Sequence, residues 1–75
     1  MTPKLPAISA KEVVRIAERL GFTLRRQRGS HAIYVRGSDQ ARVVIPMHGG
    51  ELKRKTLRGI IQDLRISVEE FQAML

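Results

Sequence analysis

Cysteine and tryptophan are absent from these 75 residues, and acids are few: seven Asp and Glu stand against fourteen Lys and Arg. Without a thiol there is no disulfide framework and no thiolate nucleophile, a composition suited to a reducing interior. No stretch approaches the roughly 20 apolar residues that cross a bilayer, and the opening Met1-Thr2-Pro3-Lys4-Leu5-Pro6 lacks the apolar run of a signal peptide. A soluble, cytoplasmic protein with no membrane partner is expected. A metal centre needs about three well-spaced ligands, which two histidines do not supply, so neither a metal nor a small-molecule cofactor is expected. There is no strand-turn-helix serine elbow, and Gly49-Gly50 lacks the surroundings of a phosphate-cradling loop. A chain this short buries only about 60% of the surface its unfolded form exposes, which leaves no deep pocket. Any site is a shallow surface patch.

What the chain has is positive charge. The formal net charge is +7, and ten of the fourteen cations are arginine, the better bidentate phosphate ligand. The excess is uneven, since residues 21–50 hold five arginines and one acid, Asp39. A solvated surface without a partner mixes signs. Such a bias suits a polyanion, or failing that an anionic membrane surface or an acidic protein. Its densest stretch is Arg25-Arg26-Gln27-Arg28-Gly29-Ser30-His31, in which guanidinium groups precede a tight-turn glycine and one of the two histidines.

No repeat, low-complexity tract or linker divides the chain. Residues 1–8, with Pro3 and Pro6, read as an irregular lead-in to a single domain over 9–75. Ser9-Ala10-Lys11-Glu12 fits a capping box; Val13, Ile16, Ala17 and Leu20 form one apolar stripe, and Gly21 ends the helix. Three strands follow. Phe22–Gln27 alternates so that Phe22, Leu24 and Arg26 share one side, His31–Arg36 is rich in β-formers, and Arg42–Pro46 closes the set. A second helix, from Lys53 or Thr56 to Leu64, carries Leu57, Ile60, Ile61 and Leu64. Ser67-Val68-Glu69-Glu70 caps a third that turns Phe71, Met74 and Leu75 inward. The expected fold is α+β, in the order α-β-β-β-α-α, a three-stranded antiparallel sheet with helices on one face.

In that meander the start of the second strand and the end of the third share one end of the sheet, so His31, His48 and both basic clusters can converge. His31 is either a strand residue hydrogen-bonded to a neighbour or a proton-transfer group on a fixed, exposed platform. His48 is either a loop residue contacting its own backbone or phosphate, or a second participant. Lys53, Arg54, Lys55 and Arg58 are either a solvated helix face or phosphate contacts, and their mutual repulsion favours contacts. Tyr34 has no aromatic companions and reads as packing rather than base stacking.

Leu20-Gly21-Phe22, Gly29-Ser30-His31, Tyr34, Val44-Ile45-Pro46-Met47-His48, Leu52, Thr56-Leu57-Arg58, Ile60-Ile61, Ile66-Ser67 and Glu70-Phe71 occur in that order. Over about residues 9–75 this set resembles the HicA toxin family. The resemblance implies a double-stranded-RNA-binding-like fold and an mRNA interferase of a type II toxin–antitoxin module. It also implies that the histidine of the Gly-Ser-His motif, His31, is essential, and that a HicB-type antitoxin blocks the site. Lys55 departs from the glycine that often precedes the threonine in the family.

Two functions fit. In the first, an endoribonuclease, Arg25, Arg26, Arg28, Gly29, Ser30, Lys53, Arg54, Lys55 and Arg58 hold the RNA backbone. His31 then moves the proton of a 2′-hydroxyl attacking its phosphate, without a metal, and His48 is a possible second catalytic group. The alternative is a non-catalytic RNA-binding module. DNA reading by the last two helices fits poorly, because the helix that would enter the groove carries Glu69 and Glu70 and no cation.

Overall fold

In the computed structural model, which describes residues 5–75, α1 (Ala10–Arg19) begins where the Ser9 hydroxyl accepts the Glu12 amide at 3.4 Å. It ends in a glycine-dependent reversal. Gly21 takes φ +92°, and the amides of Gly21 and Phe22 donate back to the Glu18 and Ala17 carbonyls. Phe22 is thereby folded under the helix end into the core. Three strands follow, β1 (Thr23–Arg28), β2 (His31–Arg36) and β3 (Ala41–Pro46), then α2 (Arg54–Asp63) and α3 (Val68–Ala73). The sheet is antiparallel in the order β1-β2-β3, as the sequence pattern predicts.

Register separates the two faces. Ala32 and Tyr34 pair with Ile45 and Val43, and Ala41 with Arg36; these small and apolar side chains turn toward the helices. There they meet Val13, Ile16 and Ala17 of α1 and Leu57, Ile60 and Ile61 of α2, with Leu64 and Phe71 closing the core. The opposite face carries His31, Ile33 and Val35 against Pro46, Val44 and Arg42. Ile33 is only 7% exposed yet lies outside the core cluster, because its neighbours on the open face shield it.

The expected alternation of β1 fails. The strand starts at Thr23, one residue late, and its pairing slips between Leu24 and Arg26: Leu24 faces Tyr34 and Arg26 faces Ile33. Arg25 is the extra residue of a bulge, so Leu24 and Arg26 lie on opposite faces rather than together. The helix layer stops short of β1, and all six of its residues are exposed, with Leu24 at 52%.

Four other expectations change in detail. Of the lead-in over 1–8, residues 1–4 lie outside the described residues. Residues 5–8 have no regular element, yet Leu5 and Ile8 are buried in the core and the Ile8 carbonyl accepts the Leu52 amide at 2.8 Å. Helix α2 starts after Lys53, which caps it without a side-chain bond. Phe71 is buried and Met74 half-buried, but Leu75 is exposed beyond the end of α3. The reciprocal capping box expected twice forms only at Ser67 and Glu70.

One polar staple holds the end of the sheet at the β2–β3 turn. Arg36 grips Asp39 through Nε and Nη2 at 2.9 and 2.8 Å, donates Nη1 to the Leu20 carbonyl at 2.9 Å, and stacks 4.6 Å from the Phe22 ring centre. Arg65, just past α2, reaches the same carboxylate at 3.3 Å from a backbone with φ +64°. Arg36 ahead of the other contacts holds the Asp39 carboxyl at about 2, well below the usual carboxylate range.

Candidate nucleic-acid interface

The β1–β2 connection fixes where His31 stands. Arg28 pairs with His31 across a loop of two residues, Gly29 and Ser30, and only Gly29 takes positive φ (+57°), as a type II′ hairpin requires. His31 is thus the first residue of β2, exposed on the open face. It also pairs with Pro46 of β3, and the Met47 amide donates to the Ser30 carbonyl just beyond that pair. Such a pair exchanges no hydrogen bonds of its own, so its side chains approach closely, and Pro46 loses nothing by lacking an amide proton. The imidazole has no hydrogen-bond partner among the described residues. Both ring nitrogens are open to a ligand, unlike those of a satisfied structural histidine.

Across the open face three rows run from that end. Arg28, His31 and Pro46 form the first, Arg26, Ile33 and Val44 the second, and Thr23, Val35 and Arg42 the third. Arg26 and Arg28 therefore share a face with His31. Arg25 lies farther along: at the bulge it lines a shallow depression with Val35 and Arg42 of the third row and with Gly37 and Gln40, toward the other end of the sheet. Three residues of strand put it about 10 Å from His31. Arg42 escaped sequence reasoning because its place on this face depends on the β2–β3 register, which local pattern does not fix.

His48 follows the same sheet end by two residues. Its Nδ1 lies 3.2 Å from the Gly49 carbonyl. A carbonyl only accepts, so this contact keeps the proton on Nδ1 and leaves Nε2 free. His48 lines a depression with Ser9, Lys11, Met47 and Gly50, at the start of α1. Lys11 is a second cation that sequence reasoning missed, because nothing local shows that α1 begins beside the 47–50 loop. The Ser30–Met47 bond ties the two histidine-bearing segments together through the backbone.

The remaining cations belong to α2. Lys53 and Arg54 line a separate depression with Leu5, Ala7 and Glu51, and Lys55 and Arg58 are exposed on the helix surface. These two pairs are not brought into the row of His31. The start of this helix opposes its own dipole: no acid lies in its first turn, and its cap residue is a lysine. Among the described residues the two ion pairs both end on Asp39, with Arg36 and Arg65. Arg25, Arg26, Arg28, Lys53, Arg54, Lys55 and Arg58 stand without an acidic partner.

All three aromatic rings are inside: Phe22, Tyr34 and Phe71 belong to the core. Burial, and secondarily Glu18, push the Tyr34 phenol above its ordinary range. No Phe, Tyr or Trp ring is left on the surface to stack a base. Among the described residues no three His, Cys, Asp or Glu side chains gather as a metal set, and no helix is long and apolar enough to cross a membrane.

A family model described as the HicA toxin of bacterial toxin–antitoxin systems matches residues 10–66. That span runs from the start of α1 past the end of α2, and includes the Gly29-Ser30-His31 turn. A search of curated proteins gave no match.

Proposed function

The chain belongs to the HicA toxins of bacterial toxin–antitoxin systems, mRNA interferases by kind, and we propose that it cleaves mRNA with His31 as the proton-transfer group. What carries this reading is an exposed imidazole with no partner among the described residues, in one row with Arg28 and one step from Arg26. Arg26 and Arg28 hold the phosphate beside the imidazole, and the α2 cations with Arg25 bind more distant phosphates. His31 removes the proton from a ribose 2′-hydroxyl. The 2′-oxygen bonds to the adjacent phosphorus, the bond to the 5′-oxygen breaks, and that oxygen takes up a proton. The products are a 2′,3′-cyclic phosphate and a free 5′-hydroxyl. Water supplies the second proton, or His48 does so through Nε2 when its ring carries a proton on both nitrogens.

Charge building on the phosphoryl oxygens faces guanidinium groups that no carboxylate neutralises. General acid–base assistance of this kind contributes about 10²- to 10⁴-fold, a modest enzyme sufficient for a toxin that depletes messages over a generation. The reaction needs no metal. The protein acts in the cytoplasm and is neutralised by a HicB-type antitoxin that covers the same cationic face.

The test is induced expression of the parent and His31→Ala, scored for growth and message integrity, beside labelled RNA incubated with each purified protein in EDTA. The parent is expected to arrest growth and cut RNA in the chelator, and His31→Ala to fold and bind RNA without cutting it. Equal cutting by both proteins refutes the assignment. RNA retained intact by the parent leaves only an RNA-binding module.

A further inference from the structure

Of the three strands, β1 is the least covered. It is the free edge of the sheet, the helix layer does not reach it, and all six of its residues are exposed. The other edge strand, β3, has one face packed against α1 and α2. An uncovered edge strand is a template for another strand, and natural domains usually shorten it, twist it away or cover it. Here a bulge at Arg25 and three arginines guard the edge against a like-charged or neutral strand, and the run from Arg26 to Arg28 keeps its outward backbone groups uncovered.

The hairpin defines which groups face outward. Pairing that closes on a two-residue loop turns both backbone groups of Arg28 toward His31, so the amide and carbonyl of Gln27 point away from the sheet. The Gln27 side chain folds back, its Nε2 donating to the Gly29 carbonyl at 3.2 Å, and does not cover its own edge. Next along the strand is Leu24, one of two large apolar side chains more than half exposed in the described chain. A nucleic-acid backbone has no use for an exposed leucine or an unpaired strand edge, whereas a polypeptide strand uses both.

Charge selects the occupant. Arg25, Arg26 and Arg28 make three cations in a six-residue strand with no acid. A second copy of the chain would set three arginines against three, and like charges directly opposite destabilise a strand pair. A strand bearing Asp or Glu would meet them with opposite sign. We infer that β1 receives an acidic, extended segment of a protein partner as a fourth strand of the sheet. This deepens the proposed toxin–antitoxin reading and rests on it. The added strand runs beside Arg26 and Arg28, one strand away from His31, so the same contact that binds the partner withholds the phosphate-holding arginines from RNA.

The experiment uses the full chain with a co-expressed HicB-type antitoxin. The variant Gln27→Pro removes the outward amide at an edge position where proline is tolerated and leaves the β1–β2 hydrogen bonds in place. It also loses the Gln27 side-chain bond to the Gly29 carbonyl, so it is compared with Gln27→Ala, which lacks the same bond: the two are expected to cut RNA equally, while the antitoxin affinity of Gln27→Pro falls at least tenfold below that of Gln27→Ala. In the parent, amide exchange at Gln27 is expected to slow on the order of a hundredfold in the complex, a readout that does not depend on the variant's folding. Unchanged antitoxin affinity together with unprotected β1 amides overturns the strand-addition inference and leaves the toxin reading standing. Protection of Gln27 by RNA alone also overturns it. A parent chain that binds no HicB-type antitoxin overturns the antitoxin reading itself, and this inference with it.

Discussion

Gly59 lies in the middle of α2, exposed, and a methyl group built on it would meet nothing within 4 Å. Its φ is not in the left-handed region, so nothing in the fold requires glycine there. By helix propensity alone Gly59→Ala gains about 1 kcal/mol. In a domain of this size that raises Tm by roughly 4–8 °C. On the helix, Gly59 lies opposite the buried stripe of Leu57, Ile60, Ile61 and Leu64, on the outermost line with Lys55 and Gln62. If RNA lies along the α2 cations, its backbone passes over this position, and the added methyl holds it off. The expected result is a more stable protein that binds RNA less well, with the slope of log affinity against log salt shallower by about 0.7–0.9 for each phosphate that the surface no longer engages. Thermal melts by circular dichroism and binding titrations of a labelled RNA at several salt concentrations measure the two halves. A rise in Tm with unchanged affinity and salt slope refutes the placement of RNA on this face. An unchanged or lower Tm refutes the claim that the fold has no use for the glycine.

At the hairpin, Gly29→Ala places a side chain at φ +57° in open space, so the backbone alone is strained, by about 1–2 kcal/mol; cleavage should fall further than the loss of folded protein measured by urea titration, because the turn aims His31. Ile8→Ala, in the irregular segment before α1, should cost about 2–5 kcal/mol by urea titration because that side chain is buried in the core, and a neutral result would show that residues 5–8 do not pack as described. The Asp39 carboxyl, held at about 2 by Arg36, is ionised below its ordinary range, so the staple contributes in full above about pH 4 and is lost as pH falls through 2. The gap in Tm between the parent and Asp39→Asn should therefore be widest near neutral pH and close toward pH 2, and a gap that grows with acid would contradict the sign.

Much of the fold is legible in the sequence because it is encoded locally. The apolar stripes of α1 and α2, the Ser67-to-Glu70 box and the Gly21 reversal each depend on residues within one or two turns of each other. The β1 reading failed for the same reason in reverse: a bulge is one residue of slippage against a partner strand, and no pattern inside Thr23–Arg28 announces it. Leu5 and Ile8 look like the tail of a proline-bearing lead-in until the Ile8 carbonyl meets Leu52. At the site, the Gly29-Ser30-His31 turn and its arginines are readable from composition and turn chemistry. Arg42 and Lys11 are not, since each joins the surface through a contact between distant segments.

The distribution of the few acids explains why one sheet end is polished for stability and the other left raw. Asp39 is the only acid within residues 21–50, and the fold commits it at the β2–β3 turn, where it holds Arg36 and Arg65 and, through Arg36, the end of α1. At the opposite end, among the described residues, Arg26 and Arg28 have no carboxylate to neutralise them and His31 has no hydrogen-bond partner to hold its ring. A fold optimised only for its own stability would place a Glu beside such a pair, or exchange one arginine for a neutral residue. Local arrangements that break these rules without compensation inside the domain are expected where the compensating group arrives from outside. Here that group must be an anion, and the catalytic and inhibitory readings differ only in which anion arrives, a phosphodiester on the open face or a carboxylate-bearing strand along β1.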